Sequence, residues 1–216
     1  MTDTNYTLPL QRDVALFHDS FGRPNRINTS GPLPLDRITL RIGLLQEEGV
    51  KELRKALGKR DPIAVVDSLI NTMYVALGAL VEMGADYVPQ TSPVACASDL
   101  DLNVLFVRRR NLAVNRVRLV QLRRAFEAQN TERSVQLLGI IVEAAQSTLR
   151  RAGIDSQPFF DEVQRANMSK LGANGRPVIS RGMAVDGFPE GKVLKGPDYS
   201  PPDLAGLFRR LHGIGA

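Results

Sequence analysis

The chain has 216 residues, with 28 Lys and Arg against 23 Asp and Glu and a net charge of +5. Its 43% hydrophobic content supports a packed core, while 6% aromatic residues and no Trp argue against a β-sandwich and a base-stacking surface, leaving helices filled by Leu, Val, Ile and Ala. One cysteine, Cys96, excludes an intrachain disulfide and a thiolate metal cage.

No uninterrupted apolar run approaches the ~18 residues of a membrane span. The polar opening MTDTNYTLPL is not expected to act as a signal peptide. A cytoplasmic protein without a membrane partner is expected.

Helical spacing begins after Pro34. Pro34-Leu35-Asp36 reads as an N-cap, and Ile42, Leu45, Leu53, Ala56 and Leu57 recur on one face. Gly58-Lys59-Arg60-Asp61-Pro62 ends that helix and opens the next, with Asp61 as cap and Pro62 in the first turn. The second helix runs to about Met83, where Gly84 ends it. Residues 87–102, with Pro89 and Pro93, read as a connection. Two more helices follow, through Arg116–Ala128 and Glu132–Arg151, closing at Gly153. From about Gly172 onward Gly, Pro, Lys and Asp predict an ordered tail or loop.

The two helix pairs are copies. Displaced by 69 positions, residues 51–86 lie on 120–155 without a gap, and nine are identical where composition alone gives roughly two or three. Leu53 meets Leu122, Ala56 meets Ala125, Leu69 meets Leu138, and Gly84 meets Gly153. The expected fold is all-α, a four-helix-bundle core built from hairpins at about 36–86 and 105–155. A tail at about 156–205 completes one domain over 1–216. Such a chain is an internal pseudo-dimer, and a further homodimer stays open.

At ~100° per residue, Glu48 and Glu52 share a bearing beside Leu45 and Ala56 and edge the buried stripe, whereas Glu47 and Lys51 turn towards solvent. On the next helix Asp67, Asn71, Tyr74 and Gly78 form a narrow polar stripe opposite Val66, Leu69, Met73, Leu77 and Leu80. A polar stripe on an apolar helix faces a partner group or costs free energy. Four oxygen-bearing side chains on adjacent helices suit a hard divalent cation, because Mg²⁺ takes carboxylate and water oxygens and borrows the rest from phosphates. Surface salt bridges for Glu48 and Glu52, with a packing hydrogen bond for Asp67 and Asn71, explain the same residues, and both readings stay open. The second copy carries Val117, Gln121, Gln136 and Ile140 at the equivalent places, so only the first hairpin can hold such a site. Arg108, Arg109, Arg110, Arg116, Arg118, Arg123 and Arg124 have no interleaved aromatics, so they predict a solvated basic face and not a nucleic-acid partner.

Several segments carry a likeness to a known family. They are Phe17-His18-Asp19-Ser20-Phe21-Gly22-Arg23-Pro24, residues 44–53, and residues 67–78. More specific is the tail, where Glu162-Val163-Gln164-Arg165-Ala166-Asn167-Met168-Ser169-Lys170-Leu171 is similar to EVHRSNMSKL. Gly191-Lys192-Val193-Leu194-Lys195-Gly196-Pro197, with Tyr199 and Pro201-Pro202-Asp203-Leu204, is similar to GKVxKGPxYxPPDL. Over about 14–86 and 153–205 the chain thus resembles the all-α nucleoside triphosphate pyrophosphohydrolases, the MazG-like and phosphoribosyl-ATP pyrophosphohydrolase-like group.

The resemblance implies cleavage of a nucleotide substrate, a (deoxy)nucleoside triphosphate, between its α and β phosphates, with Mg²⁺ or Mn²⁺ as cofactor. It implies Glu48, Glu52, Asp67 and Asn71 as metal ligands and Glu47 and Glu48 as catalytic groups. His18, Tyr74, Asn167, Lys170, Lys192 and Lys195 would meet the substrate. Glu48 and Glu52 stand four apart where the family has three, with Lys51 at the third place, and a one-residue bulge restores the match from Glu52 onward. Asn71 stands in place of an aspartate and Gln164 in place of a histidine, so a nucleotide-binding relative without turnover is the second reading. The acids precede the second hairpin and the tail follows it. One composite site is therefore expected, closed over the first hairpin by 160–205.

Overall fold

A computed structural model describes residues 6–23, 25, 31–89, 94–186 and 194–213. The fold is all-α, and among the described residues there is no strand beyond an isolated bridge between Leu171 and Pro177. The helices are α1 (Pro9–Ser20), α2 (Leu35–Gln46), α3 (Leu53–Lys59), α4 (Pro62–Met83), α5 (Arg108–Glu127), α6 (Thr131–Arg151), α7 (Ser156–Met168), α8 (Met183–Asp186) and α9 (Leu204–His212). A π turn, Glu47–Glu52, joins α2 to α3, and a 3₁₀ turn, Leu102–Phe106, precedes α5.

Local chemistry sets most of these boundaries. The Asp61 carboxylate accepts from the Ala64 N–H at 3.0 Å and Pro62 occupies the first turn of α4, while Gly84 ends it at φ 67°. Asn130 and Asp155 cap α6 and α7 in the same way, at 2.9 and 3.1 Å. The start of α2 differs from expectation. The helix begins at Leu35, Pro34 makes no side-chain cap, and Asp36 lies within the first turn, where the helix dipole favours its charge. The second copy's first helix also begins earlier than the apolar pattern marks, at Arg108.

Helix α4 is the centre of the molecule. Val65, Val66, Leu69, Ile70, Met73, Leu77, Leu80, Val81 and Met83 are all buried, so its apolar residues face every direction and need cover on every side. Its length and composition would suffice to cross a membrane, although no single unbroken apolar run announces it. Here α6 covers one side, α1 and α7 another, and α2 with α3 a third. Helix α6 packs on α5, and α5 returns to α2 and the π turn. Apolar residues shared by the two copies lie in this core: Leu53 and Leu122, Ala56 and Ala125, Leu69 and Leu138, Leu80 and Leu149 are buried pair by pair.

Three helices come from segments without a long apolar pattern. α1 buries Leu10, Val14 and Ala15, α7 buries Phe159, Phe160 and Val163, and α9 buries Leu204 and Phe208. The tail therefore holds more regular structure than its Gly and Pro content suggests, and it is bolted to α7. The Glu162 carboxylate accepts from the Asp203 N–H at 2.7 Å, the Arg165 guanidinium donates to the Pro201 carbonyl at 3.0 Å, and the Ser200 N–H donates to the Ser169 hydroxyl at 3.0 Å.

Candidate metal and phosphate site

The π turn is the local device that aims the acids. Within it the Leu53 N–H reaches back five residues to the Glu48 carbonyl, the wider ring that absorbs one extra residue without disturbing the helix on either side. The Ser68 hydroxyl of α4 donates to the same carbonyl and ties the turn to the core. As a result Glu48 and Glu52, four apart in sequence, line one pocket of about 140 Å³ with Asp67 of α4. Lys55, Lys59, Asp61 and Ser68, with Ala56 and Ala64, complete its wall. The bulge expected from the spacing is present.

Glu47 and Lys51 face away from that pocket, pair with each other at 2.7 Å and are exposed. Lys51 therefore does not enter the acid cluster, and Glu47 does not line it.

Crowding shows in the titration of these groups. Burial first, then the charges of Asp67, Glu52 and Glu47, push the Glu48 carboxyl up to about 7, against the opposing pull of Lys170. Burial also raises Asp67, opposed by a hydrogen bond from Asn71 and reinforced by Glu52. The Asn71 amide donates to Asp67 at 2.9 Å, so Asn71 orients the carboxylate without lining the pocket. Glu52 leans to Lys55 at 3.1 Å. Among the described residues no three His, Cys, Asp or Glu side chains stand grouped closely enough to hold a metal ion. The acids share a pocket but are partly spent on neighbours.

The tail closes over this hairpin. Lys170 Nζ donates to Asn167 Oδ1 at 2.6 Å, and burial lowers its pKa, Lys195 lowers it further, and Glu48 opposes both. Lys195 itself lies over the Tyr199 ring at 4.4 Å. Gly196 makes the approach possible: a Cβ there would stand 2.8 Å from the Leu171 carbonyl oxygen. Lys192 lies outside the described residues.

Tyr74 anchors the joint. Its hydroxyl donates to Gln164 Oε1 at 2.7 Å and accepts from Asn167, and its ring stacks on Phe160 and meets Phe17 edge-on. Gln164 Nε2 in turn donates to the Asp13 carbonyl at 2.8 Å, so one side chain joins α1, α4 and α7. Sequence reasoning noted Gln164 only as a departure. An amide offers a donor and an acceptor at once, and that is what this position uses.

His18 does not line the acid pocket. It is 2% exposed, and Arg41 Nη2 donates to its Nε2 at 2.9 Å. Arg41 also pairs with the buried Glu82 at 2.9 Å, and Arg37 pairs with the same carboxylate. Burial opposes the Glu82 charge, but Arg41 and Arg37 together hold its pKa below the usual range. Gly78 leaves room for this arrangement, since a Cβ there would stand 2.6 Å from an Arg41 guanidinium nitrogen. The polar stripe on α4 thus divides: Asp67 lines the acid pocket, Tyr74 joins helices, and Gly78 makes room for an arginine.

No family model and no curated protein matches this chain. A solved structure from Exiguobacterium sp. 255-15, described as a "putative NTP pyrophosphohydrolase", is similar to it with 25% identity. The likeness covers 94% of this chain and 96% of that one, with a TM-score of 0.44.

Proposed function

We propose that the chain is a metal-dependent hydrolase that cleaves a (deoxy)nucleoside triphosphate between its α and β phosphates, giving a monophosphate and pyrophosphate. One observation carries this reading: Glu48, Glu52 and Asp67 share a pocket, and Lys170, beside Lys195, stands near enough to Glu48 to alter its titration. Clustered carboxylates call for a cation, and paired ammonium groups call for phosphate. A metal–triphosphate substrate supplies both.

The donor set suits Mg²⁺ or Mn²⁺. All its atoms are oxygens, and Mg²⁺ is commonly held by one or two carboxylates, several waters and substrate phosphates, without a closed protein cage. Glu48 and Asp67 would supply one or two carboxylates, with Asn71 orienting Asp67, and Glu52 would join them only on leaving Lys55. When bound, the cation neutralises phosphate charge and acidifies a coordinated water.

The remaining work falls to the chain's own groups. Glu48 would accept a proton from the attacking water through a carboxylate oxygen that the cation leaves free. Glu47 contributes through its charge, which helps raise Glu48. Lys170 and Lys195 bind phosphate oxygens and stabilise charge on the departing pyrophosphate. Asn167 and Tyr74 fix Lys170 in place through their shared hydrogen bonds.

The second reading, binding without turnover, draws on Asn71, which removes one negative charge and occupies an oxygen of Asp67. Incubation with Mg²⁺ and a panel of nucleoside triphosphates, following pyrophosphate and thermal midpoint together, separates the two. Release of pyrophosphate from at least one triphosphate supports hydrolysis. Stabilisation by a triphosphate with no release replaces it by binding alone, and neither response sinks both.

A further inference from the structure

The π turn has a second face. Glu48 and Glu52 line the acid pocket, whereas Val50 and Lys51 line a separate groove between α2, α3 and α5 that encloses about 510 Å³. Ile42, Val50 and Leu119 form a buried apolar floor, with Val120 exposed at the rim. Lys51, Arg54, Arg116 and Arg123 are its charged lining, and no carboxylate lines it. Lys51 is engaged by Glu47, but among the described residues Arg54, Arg116 and Arg123 have no ion pair. The repeat explains the placement. The displacement of 69 carries Val50 to Leu119, Lys51 to Val120 and Arg54 to Arg123, so corresponding residues of the two copies meet across this groove.

We propose that this groove binds a small organic polyanion of the nucleotide class, with its ring over Ile42, Val50 and Leu119 and its phosphates on Arg54, Arg116 and Arg123. The volume falls within the ~300–1,000 Å³ of small-ligand pockets. Guanidinium groups match phosphate with paired hydrogen bonds, and the floor offers a flat ring an apolar seat. A second copy of the chain is a poor occupant, because two such faces would oppose their cations. This site is independent of the hydrolysis proposed for the acid pocket.

Calorimetric titration with ADP, GDP, CDP and UDP, in EDTA and at low salt, tests it. At least one nucleoside diphosphate should bind, and the exposed-site double variant Arg54→Ala/Arg123→Ala should weaken binding at least tenfold while its circular dichroism stays unchanged. Val120→Asp at the rim should weaken it as well, and Lys170→Ala should leave it alone. Absence of binding by all four diphosphates overturns the proposal. So does binding that Lys170→Ala abolishes and the arginine variant retains, which would put the ligand at the acid pocket. Binding of a polyglutamate peptide with none of the diphosphates would replace it by an acidic protein partner.

Discussion

Helices α4 and α6 hold equivalent places in the two copies and share three buried apolar residues, Leu69 with Leu138, Ala76 with Ala145 and Leu80 with Leu149, yet they keep different polar company. Where α4 has Asp67, Asn71, Tyr74, Gly78 and Glu82, α6 has Gln136, Ile140, Glu143, Ser147 and Arg151. Opposite them, Glu48 and Glu52 of the π turn correspond to Val117 and Gln121, both exposed on the unbroken α5. The apolar positions that survive in both copies lie in the core; of the polar positions kept in one alone, Glu48, Glu52 and Asp67 line the acid pocket, while Tyr74 and Glu82 tie helices together. Duplication followed by loss on one side would give this pattern.

The largest effect expected from this asymmetry lies at Glu82. Glu82→Gln leaves Arg41 buried against a neutral partner and should cost about 3–5 kcal/mol. Arg151→Gln, at the equivalent exposed place in α6, should leave stability unchanged. Denaturant unfolding of the two variants measures the difference.

Gly78→Ala comes next. Its Cβ would press on the Arg41 guanidinium, and the displacement should destabilise by about 1–3 kcal/mol, whereas Ser147→Ala in the other copy should be silent. Equal midpoints for the two variants would break the account of the α4 stripe.

A smaller effect concerns pH and metal. Glu48 is raised in the folded chain from 4.5 to about 7, so the stability held by its protonated form is complete below about 4.5 and is lost as pH rises through about 7. In EDTA the thermal midpoint should therefore fall between pH 5 and pH 8. Mg²⁺ should restore it at pH 8 and do little at pH 5, because the cation competes with the proton for the same carboxylate. Glu48→Gln should flatten the pH dependence and abolish the Mg²⁺ response.

Glu82 has the opposite sign. Its carboxyl is held below 4.5, so the stability it contributes is present above that value and is lost as pH falls through its lower folded pKa.

The two hairpins were legible because a repeat of apolar residues at helical spacing is what a buried helix pair requires. The one-residue bulge was legible from the spacing of Glu48 and Glu52. Helices α1, α7 and α9 were not, since each is short and buries only a few apolar side chains against helices distant in sequence. The network at Arg41 left a faint trace: a charged residue between Ile38 and Ile42, and a glutamate among Leu80, Val81 and Met83. Nothing in the linear chain says that these meet, because Arg41 and Glu82 lie on different helices and their pairing is tertiary. The same holds for Gln164, whose partners Asp13 and Tyr74 come from two other elements. Lys170 and Asn167 were named through the tail motif, and their hydrogen bond to one another appears only in the folded chain.

The central claim is one composite site, carried by the first hairpin and closed by the tail. Pyrophosphate release from the preferred triphosphate, measured for the wild-type chain, Glu48→Gln and Glu143→Gln under identical Mg²⁺, tests it most directly. Loss of about 100-fold or more in Glu48→Gln with Glu143→Gln unchanged is the expected result, in keeping with removal of a general base. Equal losses in both variants, or full activity in Glu48→Gln, would contradict it.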